Sequence, residues 1–383
     1  MNHIYLENIV LSYQDVIYLL YEICNNKKYN NRLKKEKVTH FTTFGYPINS
    51  YFLGHGKKHV ILLAATHGCE IITNLFVLEF ILTLVLDDKL YKEVCNEFTF
   101  HFIPILNIEG YIISSSPIVN NLKKLNYYEI ECVSRKYLNA YNLDDMLASE
   151  NKIYEKTYKN ILKTSCSYIP NKNLIKSVNC ILKNCNLDSR VLPVWSANGI
   201  GVDPNSNSIN KFKEMVALRK SWKYAKLRYN DIPVTKPSPM SYPGLKPLYI
   251  DCPENVFLYQ YITDLYTTLP KSNEKLISIF SYHSTGGMIF GYPDKCITSN
   301  KNILLHNKAV DIYSSFTHYT KIYQYLKFGV MDFYRAYLEN VVSLTIELSK
   351  LNANPIGPFA NINELFKEFN DNKRAILTVI QNI

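Results

Sequence analysis

The stretch from Lys58 to Ala65 (KHVILLAA) is almost wholly apolar and hardly alternates, the pattern of a strand covered on both faces. Three more runs read the same way: FTFHFIPIL (98–106), EKLISIFSYHS (274–284) and NVVSLTIEL (340–348). Between them lie helical patterns. One begins at about Glu70 and reaches Leu86, with Leu75, Phe76, Leu78 and Phe80 at helical spacing, and another covers NKAVDIYSSF (307–316). Strands interleaved with helices predict an α/β fold with a mixed, mostly parallel twisted sheet and helices on both faces.

Two stretches break the pattern. Residues 120–190 are rich in Lys, Asn, Tyr and Ser, have no Gly, and show helical patterning around ENKIYEKTYKNILK. They read as a helical insertion, either a lid over a site or plain surface decoration. DIPVTKPSPMSYPGLKP (231–247) is Pro-dense and reads as loop.

Composition narrows the function classes. The net charge of +10 comes with abundant Asn, Ile, Tyr and Lys, and no arginine-rich tract or nucleic-acid motif accompanies it, so no nucleic-acid partner is expected. Nine cysteines without a CxxC spacing read as reduced thiols. The first 24 residues read as an amphipathic helix capped by Ser12 and not as a signal peptide, and the run 71–86 is short and contains Glu79. A cytoplasmic protein without a membrane span is the expectation.

The chemistry gathers where buried strands end. The first strand runs into His67 and Glu70, the third into His283, and the fourth into Glu347. In open α/β sheets, sites form outside the carboxyl ends of strands. Two imidazoles and a carboxylate can fill three positions of a zinc tetrahedron and leave the fourth for water, beside which a further carboxylate can act as general base. HxxE alone is weak; these four residues in this order are a stronger signal. His55, His59, His101, His306 and His318 have no partner at ligand spacing and read as structural.

This series resembles the zinc carboxypeptidases of the carboxypeptidase A-like superfamily over most of the chain. ATHGCEIIT is similar to the first zinc motif, PILNIEGY (104–111) to the PxxNPDGY turn, WSANGIGVDPNSN (195–207) to the GVDLNRN segment, SYHSTGG to the third-ligand motif and TIEL to the catalytic strand. The resemblance implies a single peptidase domain over 1–383 and one zinc ion per chain, bound by His67, Glu70 and His283. It implies Glu347 as the general base and Asp203 as the group orienting His67. It also implies Asn205, Met331 and one of Tyr323 and Tyr325 at the substrate. YPGLKPLYIDCPE (242–254), GVMDFY (329–334) and NPIGPF (354–359) resemble bacterial members assigned to γ-D-glutamyl-diaminopimelate bonds. The substrate implied is therefore a peptide or muropeptide. Three departures stand out: Cys69, Ser196 and Ser206 occupy positions where the family often carries cations. Two other readings are a related zinc N-acyl-amino-acid deacylase and a non-catalytic binding descendant of the fold.

Overall fold

The computed structural model describes residues 13–115, 171–187, 191–192, 195–209, 235–248, 250–284, 286–293, 295, 298–323, 329–348 and 362–383. Most of the 120–190 insertion, Ser12, Tyr325 and NPIGPF lie outside them.

The strands are β1 (Leu33–Lys35), β2 (Tyr51–Gly54), β3 (Lys58–Leu63), β4 (Phe98–Ile103), β5 (Lys275–Ser284), β6 (Met288–Phe290), β7 (Thr320–Ile322) and β8 (Val342–Leu348). They form one sheet in the order β1-β2-β4-β3-β5-β8-β6-β7. The middle four, β4-β3-β5-β8, are parallel to one another, while β2 and β6 join this block antiparallel. The expected mixed, mostly parallel sheet is the one found.

The helices are α1 (Tyr13–Asn25), α2 (Ile71–Leu86), α3 (Asp88–Cys95), α4 (Ile108–Ser115), α5 (Lys172–Cys185), α6 (Pro253–Thr268), α7 (Asn300–Thr317), α8 (Val330–Tyr337) and α9 (Ile362–Asn382). Alternation along β4 assigns them to faces. Phe100 and Phe102 pack against Phe80 of α2, while His101 between them turns to Tyr261 of α6. Because both faces of the middle strands are covered, β3 and β5 are buried along their length without alternation. Helix α2 is itself hydrophobic nearly all round, since α9 covers its far side, where Phe369 meets Phe76 at 5.7 Å.

The ends of elements differ from the sequence pattern at the joints that matter. Strand β3 stops at Leu63, because Ala65 takes φ 50°, a left-handed turn that no strand can continue. Helix α2 starts at Ile71, leaving Glu70 as its N-cap without a side-chain capping bond. No helix among the described residues is long and apolar enough to cross a membrane.

Two of the structural histidines are held neutral. His306 donates from Nδ1 to Asn302 O at 2.9 Å, and its Nε2 accepts from Ser343 N at 2.9 Å, tying α7 to β8. Burial, and then Arg335 nearby, push its imidazole down to about 4. His59 hydrogen-bonds His101 at 2.8 Å and is also pushed down to about 4, by burial and by His101. A histidine depressed in the folded state costs nothing above its unfolded value near 6.5, and the cost grows as pH falls from there toward 4. For His306 that cost is at most roughly 3 kcal/mol at the acid limit; for His59, less deeply buried and 3.2 Å from Glu274, it is smaller. Thermal or urea midpoints should therefore fall between about pH 7 and pH 5, and His306→Gln, which cannot take up the proton, should flatten that fall.

Candidate metal centre

His67 and Glu70 lie in the turn between β3 and α2, and the turn is knitted by polar residues. Ala65 N donates to the Thr73 hydroxyl at 2.9 Å, and that hydroxyl donates to Glu70 O at 2.7 Å. Gly68 passes against Gly110 so closely that a Cβ would meet the backbone carbon at 2.0 Å, so only glycine fits. Asn107 is fully buried beneath this turn. Its Nδ2 donates to Ser196 O at 2.9 Å and to Thr66 O at 3.3 Å, while its Oδ1 accepts from Gly110 N at 2.9 Å.

The Glu70 carboxylate is turned away from its helix and toward two imidazoles. Oε1 lies 2.7 Å from His67 Nδ1, and Oε2 lies 3.0 Å from His283 Nδ1. The two rings sit edge to face, with centroids 4.9 Å apart. One ligand atom from each of His67, Glu70 and His283 falls within 4.8 Å of the others. His283 comes from the end of β5, two strand spacings from β4, and its register partner across the parallel pair is Glu347 of β8. Register partners on parallel strands share a face, so Glu347 points to the side that His283 occupies.

These groups strongly perturb one another. Burial works to lower the His67 imidazole, but Glu70 and then Asp203 outweigh it and carry it well above the usual histidine range. Burial works to raise Glu70, yet His67 and then His283 hold it below the ordinary glutamate value. Glu347 is raised well above that value by burial and by the negative charge of Glu70. His283 Nε2 is buried without a hydrogen-bond partner among the described residues. Buried oxygen and nitrogen donors drawn this close fit a zinc ion, which takes N and O ligands and neutralises the carboxylate.

Asp203 stands behind His67, with Oδ1 3.3 Å from His67 Nε2. The same carboxylate closes the turn before Pro204. Oδ1 accepts from Asn205 N at 2.9 Å and Ser206 N at 3.2 Å, while Oδ2 accepts from the Ser206 hydroxyl at 2.7 Å and from Ser241 N at 3.0 Å. It therefore makes the turn and faces the imidazole at once. The three substituted positions are also engaged. Ser206 is buried and bonded to Asp203, and Cys69 Sγ lies 3.5 Å from Ser196 Oγ. Burial, followed by Glu70, pushes the Cys69 thiol up to about 12.

The remaining described residues named from sequence have other partners. Asn205 Oδ1 accepts from Val330 N at 3.1 Å and so tethers the start of α8. Met331, one residue into that helix, is buried with its sulfur 3.7 Å from the Ser343 hydroxyl. Tyr323 follows the edge strand β7, is 59% exposed, and stacks on Tyr292 at 4.1 Å. Asn107 and Ser241 were not singled out from sequence. An asparagine in a loop gives no sign of which distant carbonyls it will meet.

The family model described as zinc carboxypeptidase matches residues 48–363. Among solved structures, the chain is similar to bovine thrombin-activatable fibrinolysis inhibitor in complex with tick carboxypeptidase inhibitor. The identity is 14% and the TM-score 0.56, covering 99% of this chain and 100% of that one. It is similar to carboxypeptidase A from Helicoverpa armigera, with 15% identity and a TM-score of 0.55 over 97% of this chain and 73% of that one. A metallo-carboxypeptidase from Burkholderia cenocepacia gives 11% identity and a TM-score of 0.50, over 97% and 70%. At such identities the likeness is one of fold. No curated protein sequence matches the chain.

Asn107 provides a direct test of how the turn is held. Asn107→Ala removes two donated bonds and one accepted bond from a buried site, and should cost about 2–3 kcal/mol in denaturant unfolding. Asn107→Asp keeps the size but cannot donate to Thr66 O or Ser196 O, and it should be destabilised at least as much.

Proposed function

This chain belongs to the zinc carboxypeptidase family, and from that premise we propose that it is a zinc-dependent metallopeptidase that hydrolyses a peptide or isopeptide bond. His67, Glu70 and His283 hold one zinc ion per chain, and Glu347 is the general base. The observation that carries this reading is the convergence of three ligand atoms within 4.8 Å at the ends of adjacent parallel strands, with Glu347 in register beside His283.

A zinc ion there supplies a Lewis acid for the scissile carbonyl and its attacking water, and a positive charge that favours the ionised form of Glu347. The chain's own residues do the rest. Asp203 accepts from His67 Nε2–H, which fixes the tautomer and leaves Nδ1 free to ligate. Glu347, fixed on rigid strand backbone, takes a proton from the attacking water and passes it to the leaving nitrogen. Asn205 tethers the helix that carries Met331, so both enter the reading as the frame of the substrate pocket, and one of Tyr323 and Tyr325 is proposed to meet the substrate.

The substitutions weigh against one substrate class, and the resemblance to bacterial members supplies the other. Cys69 and Ser196 face one another and Ser206 is spent on Asp203, so these positions offer a substrate carboxylate no cation. Each missing charge-assisted bond costs roughly 1.5–3 kcal/mol of binding. Simple substrates with a free C-terminus should be turned over slowly, and cell-wall γ-D-glutamyl peptides are the proposed alternative. Side-by-side digestion of purified muropeptides and blocked dipeptides checks this. Fast turnover of the dipeptides would defeat it.

Metal analysis checks the centre itself. Wild-type protein should hold one equivalent of zinc, and His283→Ala should lose it while its circular dichroism is unchanged. Glu347→Gln should keep its zinc and lose roughly 10²–10⁴-fold in turnover. Loss of zinc in Glu347→Gln would make that residue a ligand instead.

A further inference from the structure

The loop that presents Asp203 is held from behind by two carboxyl groups that the reaction does not use. Glu109, in the first turn of α4, and Glu254, in the first turn of α6, are both fully buried. Consecutive residues of the loop reach them. Asn198 Nδ2 donates to Glu254 Oε2 at 3.2 Å, and Gly199 N donates to Glu109 Oε2 at 2.9 Å. Gly199 approaches so closely that a Cβ would meet that carboxylate oxygen at 2.5 Å. Asn198 in turn shapes the chain up to Asp203, accepting on Oδ1 from Ile200 N at 3.2 Å and Val202 N at 3.0 Å.

The surroundings of the two acids are unequal. Around Glu109 are the Phe44 N–H at 2.7 Å, the Gly199 N–H and the Thr42 hydroxyl, so both of its oxygens are satisfied. Facing Glu254 are Asn198, the Cys252 thiol, its own backbone N–H and the charge of Glu109, and Asp251 lies close by in the chain. Among the described residues its Oε1 accepts no hydrogen bond of normal geometry. Among the described residues, no lysine, arginine or histidine pairs with either carboxyl. Two buried carboxylates without a cation cannot both ionise cheaply, so one keeps its proton. Burial raises Glu109 as well, but hydrogen bonds from Thr42, Phe44 N and Gly199 N oppose that rise, so the better hydrogen-bonded Glu109 is the one to carry the charge.

We propose that Glu109 and Glu254 form a buried acid pair with a single negative charge, on Glu109, and that the pair positions the 198–203 loop so that Asp203 faces His67. The effect on the metal centre rests on His67 being a ligand; the acid pair itself does not. Burial, with Glu109 next, pushes Glu254 up to about 8. A carboxyl raised in this way contributes stability that is complete below its unfolded value and is lost as pH rises toward 8. Loss of the proton places a second charge beside Glu109 and pushes the loop outward.

Infrared spectroscopy tests the pair without reference to activity. In a Glu347→Gln background, where that residue gives no signal, a buried protonated-carboxyl band should be present at neutral pH and titrate away near pH 8. E254Q should abolish the band, and Glu109→Gln should shift its midpoint to lower pH, which serves if E254Q folds poorly. Absence of the band at neutral pH, or its persistence in E254Q, overturns the pair. For positioning, zinc affinity of otherwise wild-type protein and of E254Q should agree at about pH 7. At about pH 9 the wild type should bind roughly tenfold more weakly, as expected for loss of an outer partner of a ligand. Identical pH profiles overturn the positioning role. If neither protein binds zinc, the metal reading fails while the infrared result still decides the pair.

Discussion

Glu70 brings a carboxylate into an otherwise apolar joint between a buried strand and a buried helix, and much of the local architecture answers to that charge. A lone carboxylate there would be costly. Two imidazoles meet it at 2.7 and 3.0 Å, and the turn before α2 gives up side-chain capping so that the carboxylate can face them. The helix N-terminus adds a favourable dipole to the same side. What makes the arrangement tolerable in the protein also makes it a place for a cation.

The supporting loops obey the same constraint one layer out. Asn107 spends its whole amide on three backbone groups, and Asp203 accepts from four donors besides facing His67. Such fully satisfied buried polar groups rigidify a loop as an apolar core cannot, because each bond has a direction. The loop 195–207 is thereby fixed on the His67 side by Asp203 and by hydrogen bonds to Glu109 and Glu254. Precision at His67 comes from irregular backbone pinned at many points.

The sheet was legible because its middle strands are buried on both faces, which removes alternation and leaves unbroken runs such as HVILLA. The strand-end residues were legible for a related reason: imidazole and carboxylate have no packing role at the end of an apolar run. Element ends were less so, since Ala65 turns left-handed against its own preference and only the packing around it explains why. The roles of Ser206 and Cys69 were hidden too. Sequence marks them as missing cations, whereas the fold joins one to Asp203 and sets the other against Ser196.

By itself, then, the sequence determined the α/β class, the four polar residues at the strand ends and their order, because burial periodicity and side-chain chemistry are local properties. Only the tertiary structure decided that His67, Glu70 and His283 converge, that Glu347 stands in register with His283, and that Glu109 and Glu254 share one buried loop. Those facts depend on strand order and register. The chain places β5 more than 200 residues after β3, yet the sheet sets them side by side. Distance along the chain carries no information about such a meeting; the packing of buried faces does.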